Sequence, residues 1–267
     1  MDRTRAALEA ALAAAPDDVA LHAAYADLLI EAGDPRGEYI RLQLTREDRD
    51  QPADRLRAAV QRAYELRLAH EAEWLGPLDP FVNPPRGASV GEMVGEAVTV
   101  TWERGWVHTL EVQALSPDLA AAITACPVAR LIQHFSARGT ADELPQAADL
   151  LRLFSFLATT PVRDVELHLV SLGDAVVDPL VRSGLLRRPV RLNLSAAGIT
   201  DEGAEALARC PDVPRLPELL LPYNYLSPVG LATLEQAGVP VSPLQLFGPA
   251  FDTGEFPSIG GGGRIDD

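Results

Sequence analysis

Lysine is missing from the 267-residue chain, and all 23 of its bases are arginine. That removes a Schiff-base lysine and the lysine of a Walker-type phosphate loop from the list of mechanisms open to it. Cysteine is scarce: Cys126 and Cys210 are too few for a disulfide scaffold and read as two buried, reduced thiols. No run approaches the ~18 consecutive apolar residues of a membrane span, and the N-terminal stretch has no continuous apolar segment with a cleavage site. No membrane partner and a cytoplasmic location are therefore expected. Positive charge is short as well. With 38 acids the net charge is −15, which repels phosphate backbones, so no nucleic acid is expected as a partner.

What remains is ordinary globular composition, 47% hydrophobic and 23% charged, long enough to bury a real core. Residues 1–80 read as a helical module. Asp17 and Asp18 supply cap chemistry for a helix carrying Val19, Leu21, Tyr25, Leu28 and Leu29. Gly33-Asp34-Pro35 is a stop-and-restart signal, and a further helix runs from about Ala53 to Trp74. Residues 80–95, rich in Pro and Gly, read as a loop. The period then changes to two. Val98, Val100 and Trp102 alternate with polar neighbours, and Trp106 to Val112 comes after the turn Glu103-Arg104-Gly105, predicting a β-hairpin. Residues 81–112 thus read as loop and hairpin joining the module to the C-terminal half of the chain. Trp102 and Trp106 flank the turn, placed to pair across it or to shield an open stack.

Residues 113–248 repeat. Leu192, Leu194, Ala197, Ile199 and Gly203 recur 27 residues later as Leu219, Leu221, Asn224, Leu226 and Gly230. Val165 to Leu169 is a more diverged third unit. Cys126-Pro127, Thr160-Pro161, Arg188-Pro189 and Cys210-Pro211 mark the starts of units at uneven spacing. Residues 249–267 form a Gly-rich tail, expected to be flexible.

This L-x-L-x-x-N-x-L pattern resembles leucine-rich repeats of the ribonuclease-inhibitor-like class. Within that resemblance Asn224 is expected to bond backbone at a turn. The N-terminal segment Asp17-Asp18, Tyr25-Ala26-Asp27 and Gly33 to Gln43, with His70 to Gly76 and Arg104-Gly105-Trp106-Val107, resembles the repeat-companion domain that precedes such repeats in some bacteria. The fold expected is α/β: a helical module, then a short, irregular solenoid of about four or five units with a parallel sheet on its concave face.

Candidate chemistry is sparse. There is no G-x-S-x-G, no H-E-x-x-H and no glycine-rich phosphate loop, and the five histidines are too scattered for a local metal site. No enzyme activity and no cofactor are expected. Asp34, Arg36, Glu38 and Arg41 form a dense charged cluster, read as a cap plus ion pairs, with Asp27 as one partner. A hydrolase built on that cluster is the enzymatic alternative. His134 and His168 each lie seven residues after a proline, Pro127 and Pro161. If those prolines are equivalent, the two rings sit on adjacent rungs, about 5 Å apart. Alternation then directs Thr109, Glu111, Ile132, His134, Glu166, His168, Arg191, Asn193 and Leu220 outward. The function expected is non-catalytic recognition of another protein by that concave row, as an adaptor or regulatory scaffold. The competing expectation is an acidic inhibitor or immunity-type protein that blocks a basic enzyme.

Overall fold

The computed structural model describes residues 2–84, 98–139 and 142–239; the Gly-rich tail lies outside them. Four helices come first: α1 (Asp2–Ala14), α2 (Val19–Glu31), α3 (Pro35–Glu47) and α4 (Ala53–Leu75). Their ends obey the capping chemistry of the sequence. The Asp18 carboxylate accepts from the amides of Ala20 at 2.8 Å and Leu21 at 3.1 Å, opening α2. Gly33 turns left-handed after it, with φ 74°. Asp34 accepts from Arg36 N at 2.9 Å, with Pro35 in the first turn of α3. A short helix, α5 (Asp79–Val82), runs into the stretch that reads as loop, of which residues 85–95 lie outside the described residues.

The hairpin is the start of the sheet. Strands β1 (Val98–Glu103) and β2 (Trp106–Val112) pair antiparallel. Arg104 and Gly105 turn the corner with φ 46° and 77°, the paired left-handed conformation that matches strand twist. The two tryptophans do not pair with each other. Trp106, 2% exposed, stacks on Tyr25 with ring centroids 5.4 Å apart. Trp102 packs edge-on against Tyr39 and Trp74 and donates to Glu71 Oε1 at 2.9 Å. Each prefers a helix because α2, α3 and α4 bring aromatic partners to the hairpin, which buries more ring surface than a cross-strand pair. Arg36 completes this joint. It is 3% exposed, its guanidinium lies 4.7 Å from the centroid of Trp106, and Nη2 donates to the Tyr25 hydroxyl at 2.5 Å.

Four parallel strands continue the sheet, each reached through a helix: α6 (Pro117–Ala125), β3 (His134–Ala137), α7 (Ala147–Leu157), β4 (Asp164–Leu167), α8 (Val177–Arg182), β5 (Arg191–Asn193), α9 (Asp201–Ala208), β6 (Glu218–Leu220) and α10 (Pro228–Gln236). The strand order is β1-β2-β3-β4-β5-β6, an open α/β sheet. Leu110, Phe135, Val165, Leu192 and Leu219 point inward in register and are at most 1% exposed. They share one core with Leu119, Ile123, Leu153, Leu180, Leu207 and Leu234 from the helices. Full burial of each such side chain stabilises by roughly 1.5–3 kcal/mol.

The 27-residue offset has a hydrogen-bonding cause. Asp174 accepts from Thr200 N at 2.8 Å, and Thr200 caps α9. Asp201 accepts from Ser227 N at 2.8 Å, and Ser227 caps α10. Each unit's aspartate therefore holds the start of the next unit's helix, and the bonds from Ser227 lower the Asp201 pKa. Asn224, 3% exposed, accepts from Ala197 N and Ile199 N and donates to the carbonyls of Leu194 and Leu221. This is the backbone-binding role expected of it.

Candidate functional site

The outward side of the sheet carries two registered rows. The first is Thr109, His134, Asp164, Arg191 and Glu218; the second is Glu111, Ser136, Glu166, Asn193 and Leu220. They arise because each of these residues flanks or alternates with an inward core residue. Seven of the nine residues expected to face outward meet here: Thr109, Glu111, His134, Glu166, Arg191, Asn193 and Leu220.

Two do not. Ile132 is fully buried. Pro127–Leu131 coils into a 3-10 helix, so β3 starts only at His134 and alternation does not reach back to Ile132. His168 lies just past β4 and is not beside His134. The register partner of His134 is Asp164. The extra coil after Pro127 is the reason: seven residues separate Pro127 from His134, whereas three separate Pro161 from Asp164. Those prolines are not equivalent. Pro127 matches Pro211 instead, which also precedes its row residue, Glu218, by seven and also leads into a 3-10 turn. The histidine beside His134 is His108, 5.0 Å away between ring centroids. It is the extra residue where the β1–β2 register shifts.

In the first row Asp164 is held by its neighbours, while Glu218 forms no ion pair among the described residues. His134 Nδ1 lies 2.7 Å from Asp164 Oδ2, and Arg191 Nε contacts Asp164 Oδ1. That hydrogen bond raises the Arg191 pKa. His108 sits 3.3 Å from Glu103. Burial and the neighbouring His134 push the His108 pKa down, against the pull of Glu103.

The second row is not neutralised. Glu111 forms no ion pair among the described residues. Glu166 has only His168 Nε2, at 3.7 Å. The other ring nitrogen of His168, Nδ1, is 2.6 Å from the Ser195 carbonyl, which only accepts. Nδ1 therefore donates to that carbonyl, which fixes the ring beside Glu166. Two shallow depressions, of about 290 and 240 Å³, lie along the rows.

The N-terminal charged cluster is fully engaged in structure. Asp34 caps α3, Arg36 is buried against Trp106, Glu38 binds Arg62 at 2.7 Å, and Arg41 pairs with Asp27. Cys126 is buried, which pushes its thiol up to about 11, the opposite of what a nucleophilic thiolate needs.

Asp164, Ser136 and Glu218 escaped sequence reasoning, although each sits two residues from an expected outward position and so shares its face. Strand starts placed one residue late hid Asp164 and Glu218. No known protein family, curated protein or solved structure matches this chain.

Proposed function

We propose that this chain is a non-catalytic recognition protein that binds a protein partner on the outward face of its sheet. In this reading the parallel units are short, irregular leucine-rich repeats, and the helical module seals their first edge. The observation that carries it is the pair of registered rows. Five adjacent strands present ten side chains with little structural duty, and only Ser136 among them is buried. Such a surface binds through a few well-placed contacts spread over a wide area. As an adaptor or scaffold in the cytoplasm, the protein would act by holding its partner, with no cofactor. A second reading, an acidic inhibitor that blocks a basic enzyme, is favoured by the four carboxylates of the face: Glu111, Asp164, Glu166 and Glu218.

The test is affinity capture from host lysate with three proteins side by side: wild type, a sheet-face variant (His134→Ala/Arg191→Ala/Leu220→Ala), and a helix-side variant (Glu202→Ala/Glu205→Ala). A partner lost only with the sheet-face variant supports recognition by this face. A partner lost only with the helix-side variant refutes it.

A further inference from the structure

We infer that the second row contains a subsite for an arginine side chain of the partner, built by Glu111, Ser136 and Glu166. This rests on the sheet-face reading and gives it a chemistry. The three residues are register neighbours on β2, β3 and β4. Strands about 4.8 Å apart place the two glutamates about 10 Å apart at the backbone, with Ser136 midway. All three line the depression of about 240 Å³.

Two independent observations point to a cationic donor. First, the glutamates are uncompensated. Neither meets an arginine within ion-pair distance among the described residues, whereas Asp164 in the row beside them already holds Arg191 and His134. Arg138 also lines the depression but forms no ion pair there among the described residues, and one arginine against two glutamates leaves negative charge over. Second, Ser136 is only 8% exposed, and its Oγ has no hydrogen-bond partner. A buried hydroxyl left unpaired is costly and is normally satisfied. A guanidinium entering between the glutamates would donate to both carboxylates and to Ser136 Oγ. Its planar array of five N–H groups suits three acceptors in a line, where the compact ammonium of lysine does not. The occupant is therefore a partner protein that presents an arginine to this row.

The probe is a pentapeptide, acetyl-Gly-Ser-Arg-Ser-Gly-amide, titrated into the full chain by two-dimensional amide NMR at low salt. Companion peptides carry lysine or citrulline, the neutral isostere of arginine. Shifts concentrated at residues 109–112, 134–138 and 164–167 are expected with arginine, weaker with lysine and absent with citrulline. The Glu111→Gln/Glu166→Gln variant should bind roughly tenfold more weakly, and Ser136→Ala roughly threefold. Equal shifts spread over the acidic helices, or unchanged affinity in the glutamine variant, would overturn the subsite. The two claims fail separately. A captured partner that needs His134, Arg191 and Leu220 but ignores Glu111→Gln/Glu166→Gln leaves the face reading standing and removes the arginine. Arginine binding at this row, with a partner lost only from the helix side, does the reverse.

Discussion

The carboxylate of Asp174 fills the space a side chain at Gly203 would need: a Cβ there would stand 2.1 Å from Asp174 Oδ1. The next unit repeats the relationship, with Gly230 and Asp201 Oδ1 at 2.2 Å. The glycines of the repeat are thus required by the aspartates that hold the next helix starts, not by backbone conformation. Gly203→Ala should cost about 2 kcal/mol, combining the steric shift with loss of the Thr200 cap. In the Asp174→Ala background the same change should cost less, because the nearest clash has gone and only Ile199 Cγ2, at 2.8 Å, still has to give. Urea denaturation of the four proteins of this cycle measures the coupling, and strict additivity would refute the account.

Asn224 satisfies four buried backbone groups from one side chain. Asn224→Ala should destabilise by about 3 kcal/mol or more, since two amides and two carbonyls lose their partner at once. Asn224→Asp keeps the acceptor but puts a charge against the Leu194 and Leu221 carbonyls, and should be no milder. The midpoint of chemical denaturation reports both, and a loss below about 1 kcal/mol for Asn224→Ala would contradict the role.

Arg36 carries a charge into an aromatic joint, with Nε unpartnered. Arg36→Ala should cost about 3 kcal/mol through the void left beside the stacked Tyr25 and Trp106 rings. Arg36→Met, which keeps the length without the charge, should cost far less. Tryptophan fluorescence during unfolding, from Trp74, Trp102 and Trp106 together, tracks both variants. Equal losses would mean that the charge, not the packing, holds the joint.

Stability should fall as pH drops below neutrality. Burial pushes the His22 pKa down, against a hydrogen bond to the Pro16 carbonyl, and burial does the same to His108. With folded pKa values below the unfolded value of about 6.5, the unfolded chain binds more protons in that window. Stability is then complete above pH ~6.5 and is lost as pH falls toward the folded values. The unfolding free energy should be lower at pH 5.5 than at pH 7.5, and His22→Gln should reduce the difference. A slope of the opposite sign would overturn this assignment.

Much of this was legible in the residues. The caps at Asp18 and Asp34 and the Arg104-Gly105 turn come from local rules, because each is decided within a few residues, whereas the duty of Asn224, whose partners include Leu194, Ala197 and Ile199 of the preceding unit, was legible only through the repeat pattern and the family it resembles. The misplacements share one cause. A 3-10 coil after Pro127 consumes residues at a shorter rise than a strand, so counting from prolines put His134 beside His168 and left Ile132 facing outward. Asp164 was hidden because short strands offer too few alternations to fix where they begin. The pairings of Trp106 with Tyr25 and of His108 with His134 depend on how the helical module meets the hairpin, and no periodicity encodes that.

The most direct test of recognition by the sheet face is site-specific photo-cross-linking in the native host. A photoreactive side chain is placed at position 193 on the outward rows in one protein and at position 235 on α10 in another. The account predicts one discrete cross-linked partner from position 193, competed away by untagged wild-type protein, and none from position 235. The same partner captured from position 235 and not from position 193 would contradict it.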